Sequence, residues 1–305
     1  MSDARVLVVG ATGQLGSVIV RKLLAAGVPV RALARSEEKL AVLRKGGAEV
    51  VAADLLDLKK VTDACRGITQ IISTANNNMG KGVTSPMRVD VSAYQNLCAA
   101  ARNTGVRRLL YVSFRGISSG ETVDIFRLKW YIEDAIRRSG LPHVMLRPTA
   151  FMDIWVDQIL APGVRAKGVA TVFGDGRNVS NYIAVDDVAA FALKILDRSD
   201  VQNEIVELGG PSDVSLDDIV GMMERLRGSA IKRRRVPVPV MAVMSKLLRP
   251  FNEVTARLIS LGHYGATQAR PFPAWTKSAE RFGVQPRTME QYLAESWPRL
   301  MARPS

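Results

Sequence analysis

Apolar positions in the first half of the chain alternate between two periods. Residues 5–9 (RVLVV) form a short β-branched run, the pattern of a strand buried on both faces. Residues 14–26 then place Leu15, Val18, Ile19, Leu23 and Leu24 at helical spacing, and Gly27 stops them as a left-handed cap would. The same reading predicts strands at 28–34, 48–53, 70–74, 108–113 and 143–146, and helices at 36–45, 58–65, 85–103 and 125–139. Ser85 and Pro86 supply an N-cap and a first-turn proline, Gly105 and Gly140 follow helix ends, and Arg147-Pro148 closes the sixth strand. Strands and helices at this pitch require right-handed crossovers and a doubly wound parallel sheet. Ligands in such sheets sit at the carboxyl ends of the strands, near the point where strand order reverses.

The rhythm changes after Pro148. Residues 151–182 read as loop-rich and carry Phe151, Trp155, Phe173 and Tyr182. A strand at 183–185 enters a helix at 187–197, with Asp186 and Asp187 at its positive end. Another strand follows at 204–208, and Ser215 with Asp218 resembles a capping box. Residues 237–305 are proline-punctuated and mostly helical in pattern. The expected architecture is an α/β Rossmann domain of residues 1–150, to which 183–208 return, and a smaller, mostly helical substrate lobe from 151–182 and 210–305.

Composition narrows the class. The chain has 305 residues, 47% hydrophobic and 23% charged, which is ordinary for a soluble globular protein. A net charge of +13 favours an anionic ligand or partner. Two cysteines, Cys65 and Cys98, make no disulfide framework and suit a reduced, cytoplasmic setting. The N-terminus lacks a signal-peptide pattern, and no stretch approaches the roughly 20 apolar residues of a membrane span. His143 and His263 belong to no ligand-spaced cluster, so no metal is expected.

The sharpest chemical signal follows the first strand: Gly10-Ala11-Thr12-Gly13-Gln14-Leu15-Gly16. The first glycine permits the tight turn, the second lets backbone approach a pyrophosphate, and the third lets helix and strand pack closely. The pyrophosphate then meets N–H groups at the helix start. An NAD site places an acid at the end of the second strand. Here Arg35 stands nineteen residues after Gly16, between Ala34 and Ser36. A guanidinium there can fork onto a 2′-phosphate, with Ser36 and Lys39 adding contacts, so NADP(H) is the expected cofactor.

These residues, with Ala52-Ala53-Asp54-Leu55, Phe126-Arg127-Leu128-Lys129, Leu146-Arg147-Pro148-Thr149 and Tyr182-Ile183-Ala184-Val185-Asp186-Asp187, resemble the NmrA-like branch of atypical short-chain dehydrogenases/reductases. The resemblance covers about residues 5–210 well. It implies that Asp54 and Leu55 flank the adenine, that Thr74, Ala75 and Asn76 pass beside the cofactor, and that Pro148 and Thr149 lie near the nicotinamide. It assigns Lys129 to the lysine of the family's Tyr-x-x-x-Lys motif, and Ser113 to its serine. The tyrosine is missing: residue 125 is Ile, and none of the six tyrosines has a lysine four residues on. Tyr131 lies two positions past Lys129 and so on another helix face. Three roles stay open for Lys129: acid/base in its own right, as in isoflavone-reductase-like members; a ribose ligand only; or part of a cofactor sensor without chemistry.

The expected function is an NADP(H)-dependent reductase of a small carbonyl, enone or quinone, with catalytic Lys129 and Ser113 and with the substrate against Phe151, Met152 and Trp155. The alternative is a non-catalytic NADP(H) sensor or scaffold acting on a protein partner. Lys232-Arg233-Arg234-Arg235 reads as a solvated strand edge, and no nucleic-acid module accompanies it. Residues 240–248, with Met241, Met244, Leu247 and Leu248, read as a helix covering the pocket in preference to one resting on a membrane surface.

Overall fold

The computed structural model describes residues 5–75, 86–121 and 123–302, so the expected cap Ser85 and the expected cofactor contact Asn76 lie outside the described residues. The first half runs β1 (Val6–Val9), α1 (Gln14–Ala25), β2 (Val30–Ala34), α2 (Glu37–Lys45), β3 (Glu49–Ala52), α3 (Leu58–Cys65), β4 (Gln70–Ser73), α4 (Pro86–Asn103), β5 (Arg108–Val112), α5 (Asp124–Arg138) and β6 (His143–Pro148). It continues through β7 (Ala150–Phe151), a π-helix (Asp153–Leu160), α6 (Ala161–Lys167), β8 (Val169–Phe173), β9 (Ser180–Ile183), α7 (Val185–Leu196) and β10 (Glu204–Leu208). The remainder is β11 (Ser212–Val214), α8 (Leu216–Arg227), β12 (Lys232–Val236), α9 (Val238–Leu248), α10 (Glu253–Thr267), α11 (Trp275–Phe282) and α12 (Met289–Met301).

The main sheet has the order β10-β6-β5-β4-β1-β2-β3, and β1 to β6 pair in parallel. This is the doubly wound arrangement expected from the alternating periods. Strand order reverses between β1 and β4, and that opens a crevice at their carboxyl ends. Every residue of β1, β2 and β5 is buried, as continuous apolar runs covered by helices on both faces must be.

The described residues fall into two compact units. The first holds those up to Pro148 with Val188–Glu207 and Phe282–Val284; the second holds Thr149–Asp187, Leu208–Arg281 and those from Gln285 on. The first unit's core packs α3, α4 and α5 side chains such as Val61, Leu97 and Ile132 against Leu7, Ile71 and Leu109 of the sheet.

The second unit differs in detail from the sequence expectation. Residues 151–182 are ordered into β7, the π-helix, α6, β8 and β9. Met152, Val156, Leu160 and Val164 are all buried in this unit's core, at steps of four. Side chains four apart lie on the same side of a helix, so these four face the core together. The strand expected at 183–185 is instead Ser180–Ile183, and the helix begins at Val185. The basic run forms β12, parallel to β8. Its alternate residues part as a strand demands: Arg233 and Arg235 both reach Asp217, while Arg234 donates to Thr171 Oγ1 on the other side; all but Arg233 are exposed. Both halves of the Ser215–Asp218 capping box are present. In α9 only Met241 is buried, at 1% exposure, Leu248 is half-buried, and Met244 and Leu247 face solvent. The apolar stripe of α9 therefore points outward and does not cover a pocket.

Candidate functional site

The glycine loop is fixed at the crevice by its own backbone. Gly10 N and Ala11 N both donate to Leu33 O, at 3.0 and 3.1 Å, which folds the loop over the end of β2. On the other side Thr74 N donates to Val9 O at 2.9 Å, and Thr74 Oγ1 reaches Val9 O and Gly10 O. Gly10 has φ +78°, and a Cβ on it would lie 2.8 Å from Ala75 N. A Cβ on Gly16 would lie 2.3 Å from Gly10 O. Gly10 is thus required by conformation and by space, and Gly16 by space. Gly13 is the N-cap of α1, and neither a side-chain cap nor an acid occupies its first turn. That leaves a cradle of backbone donors suited to a pyrophosphate. Thr12 is half-buried, Gln14 is exposed, and Leu15 turns into the core.

Around the loop, Arg35 is exposed just past β2 and, among the described residues, has no ion pair. Ser36 caps α2 by accepting from Lys39 N at 3.3 Å. Asp54 is exposed and holds a tight turn by accepting from Leu56 N, while Leu55 packs on the core. Asn96 of α4, which the sequence did not single out, donates to Leu55 O and Leu56 O. Tyr94 was missed too. Its hydroxyl donates to Ala75 O at 2.7 Å and pairs with Ser73 Oγ at 2.7 Å, bracing the end of β4 from beneath. Tyr94→Phe should lower stability by about 1–2 kcal/mol, the cost of unmade buried hydrogen bonds; thermal unfolding measures it.

Lys129 projects from α5 into the first unit and is 6% exposed. Its Nζ donates to Val112 O at 3.1 Å and lies 5.3 Å from the centre of the Tyr111 ring. Burial lowers its pKa to about 8, against the opposing pull of Glu133 and Asp90. Ser113, the next residue after that carbonyl, donates its backbone N–H to Leu146 O at 2.7 Å. Its hydroxyl is buried and has no partner among the described residues. A buried, unpaired hydroxyl is a group that a bound ligand can satisfy. Ile125, at the position where the resemblance leads one to expect a tyrosine, is half-buried in the first turn of α5. Tyr131 faces an outer groove between α4 and α5, and Tyr111 is sealed in the core with its hydroxyl held neutral by burial. Neither replaces the missing tyrosine.

Comparison with known proteins identifies the family. A family model described as NAD(P)H-binding matches residues 10–199, nearly two thirds of the chain. The chain belongs to this family. A (4-alkanoyl-5-oxo-2,5-dihydrofuran-3-yl)methyl phosphate reductase of Streptomyces griseus is 30% identical over 300 residues, covering 92% of this chain and all of that one. The photosystem II assembly factor Ycf39 of Synechocystis is 26% identical over 309 residues, covering 98% and 92%. Among solved structures, the NADPH complex of the Escherichia coli quinone oxidoreductase QOR2 shares the fold at TM-score 0.79 and 19% identity, covering 96% and 99%.

The other predicted positions of this NAD(P)H-binding protein are placed less simply. Pro148 ends β6, and its carbonyl accepts from Arg115 N. The Thr149 hydroxyl donates to Asn181 Oδ1 at 2.9 Å, inside a buried network with Gly210 and Asp213. Phe151 is half-buried in β7. Met152 is fully buried in the core of the second unit, so it is a packing residue there and not a pocket wall. Trp155 meets the rings of Phe173 and Tyr182 edge-on, at 6.0 and 6.2 Å. With Leu216 and Gly265 these rings line a small cavity within the second unit. Glu133 also escaped sequence reading, and Arg147 entered it only as part of the motif that ends β6. Glu133 lies one turn beyond Lys129, fully buried, and accepts from Arg147 Nε and Nη2 at 3.0 and 2.7 Å. The signal for it was an acid four residues after the motif lysine on the core face of α5.

Asp187 is buried at the start of α7 and holds Arg287 N and Nε, so its carboxylate is committed to structure, as Asp186's position at the helix end already suggested. Cys65 and Cys98 are buried apolar thiols whose pKa values burial raises to about 12 and 11. No helix among the described residues is long and apolar enough to cross a membrane.

Proposed function

We propose that the protein is an NADP(H)-dependent reductase of a small organic substrate, a carbonyl, enone or quinone, in the NmrA-like manner. The observation that carries this reading is Lys129: a buried amine that donates to Val112 O at 3.1 Å, with its pKa lowered to about 8, where the following residue, Ser113, has a buried hydroxyl without a partner among the described residues. The glycine loop would hold the pyrophosphate, Asp54 and Leu55 the adenine edge, and Arg35 the 2′-phosphate. When bound, the cofactor supplies hydride. Lys129 then holds or releases a proton at Nζ, and Ser113 Oγ donates a hydrogen bond towards the substrate oxygen. Phe151 and Trp155 are the proposed apolar contacts to substrate. The Streptomyces griseus relative, itself named a reductase, supports the class. Oxidation of NADPH in the presence of a panel of quinones and enones tests it; a panel that never accelerates oxidation above the blank rejects the reading.

The 2′-phosphate assignment has its own test. NADPH should bind at least tenfold more tightly than NADH, about 1.4 kcal/mol. Arg35→Asp should erase that preference while leaving NADH binding nearly unchanged, as measured by fluorescence titration. Equal dissociation constants in the parent protein would remove Arg35 from the site.

One observation favours a second reading. Ile125 removes the family's usual proton donor, and a relative similar over nearly the whole chain is named an assembly factor. A non-catalytic NADP(H) sensor acting on a protein partner would distinguish NADPH from NADP⁺ without turnover and would retain a partner in one state only.

A further inference from the structure

The α9–α10 hairpin of the second unit carries an apolar stripe that the fold leaves uncovered. Val240, Val243, Met244 and Leu247 recur at helical spacing on one face of α9, and all are exposed, Leu247 at 65%. The stripe continues past the helix to Phe251, which is 88% exposed. The turn that presents Phe251 is built. Phe251 N and Asn252 N both donate to Leu248 O, and Asn252 Oδ1 then caps α10 by accepting from Thr255 N at 3.1 Å. A contiguous apolar face of this kind marks an interaction surface.

Charge says what it meets. From residue 225 to 279 the sequence carries eleven Lys and Arg against a single acid, Glu253, and of these Arg233 and Arg235 pair with Asp217 and Glu224 upstream. That segment holds most of the net charge of +13. Lys246 flanks the stripe and Arg249 stands two residues before Phe251, both exposed. Lys232 and Arg234, the solvent-facing half of β12, lie just upstream. Aliphatic side chains on one face with cations beside them, and almost no carboxylates, match the interfacial plane of an anionic bilayer: the apolar atoms enter the acyl boundary while lysine and arginine stems extend to the headgroups. A nucleic acid would use the cations and leave the aliphatic stripe without purpose.

We propose that α9 and the turn at Phe251 dock this protein onto an anionic lipid surface. The docking is peripheral and reversible, because a short apolar face and a basic flank are each weak alone and effective together.

The full chain is tested by flotation with vesicles of phosphatidylcholine, with and without phosphatidylglycerol. Binding should be at least ~tenfold greater with phosphatidylglycerol, the scale expected for two or more surface cations, and should fall as salt rises. The double variant Leu247→Asp with Phe251→Asp should lose at least ~tenfold of vesicle binding and keep its circular dichroism and NADPH affinity, since neither residue is in the core. Lys246→Glu with Arg249→Glu should abolish the preference for phosphatidylglycerol. The proposal is overturned if the parent chain floats with neither vesicle or if the Asp double variant floats as well as the parent. It is also overturned if the stripe variants change only the mass of a protein complex in solution, which would make a second polypeptide the occupant.

Discussion

Lys129→Met should slow NADPH-dependent turnover by about 10²–10⁴-fold, the usual contribution of a positioned proton donor, while the folded protein becomes more stable. The two effects share one cause. Folding lowers the Lys129 pKa from 10.5 to about 8 through burial. Between those values the unfolded chain binds more protons than the folded one, so stability rises with pH across that window. Below pH 8 the penalty of a buried ammonium is fully present, on the order of 2–3 kcal/mol. Methionine removes it at the cost of the hydrogen bond to Val112 O, about 1 kcal/mol. A rise in Tm of a few degrees at pH 7 is the expected balance. In the reductive direction the parent enzyme should lose activity as pH increases through about 8, when Nζ gives up its proton. Lys129→Arg, which stays protonated, should abolish that limb of the kcat profile even where its rate is low. A methionine variant with parental kcat and parental cofactor affinity would leave Lys129 as packing only.

Gly16→Ala should abolish detectable cofactor binding with a far smaller change in secondary structure. The added methyl would sit 2.3 Å from Gly10 O, 2.9 Å from Gly10 C and 3.0 Å from Ala11 Cα. These are backbone atoms, so no rotamer change relieves the clash; α1 or the loop must shift. Overpacking of this kind costs about 1–3 kcal/mol of stability. The loop is tied on both flanks, to Leu33 O and through Thr74, so the displacement falls on the donors that face the pyrophosphate. An increase in the NADPH dissociation constant of about 100-fold or more, roughly 2.7 kcal/mol, is the expected reading by calorimetry. Binding within twofold of the parent would place the cofactor elsewhere.

The sheet was legible because its signals are local. Val6–Val9 and Arg108–Val112 are continuous buried runs, and Gly27, Gly105 and Gly140 adopt the positive φ that ends each helix. The positions of Arg35 past β2, Ser113 past β5 and Lys129 on α5 were legible for the same reason, since each stands at a fixed step from a strand end or motif. What hid was either nonlocal or too short to show a period. The π-helix at Asp153–Leu160 buries only Val156 and Leu160 of its own residues, too short a pattern to mark a helical face along the chain. Met152 read as a pocket residue because it follows β6 by a few positions, whereas its place in the core depends on Tyr182, Val220 and Leu293, far away in sequence. Tyr94 and Asn96 support the cofactor strands through backbone carbonyls of other elements, and side chain to backbone contacts leave no pattern along the chain. The α9 stripe had the right periodicity, but periodicity alone does not say which side of a helix meets protein.

The buried Glu133–Arg147 pair has a consequence for how this chain can change over generations. Glu133 is fully buried and is also met by Arg137, one turn along α5, so loss of Arg147 leaves the carboxylate a cation at 3.4 Å. Loss of Glu133 has no such substitute and takes both arginines' shared partner away. The two positions are therefore unequal: the acid is the fixed point, and the arginine can be exchanged at lower cost than the about 3–5 kcal/mol of a fully stranded buried charge. One turn before that acid on the same helix is Lys129, so the tie from Glu133 to β6 also sets the register in which α5 presents the lysine.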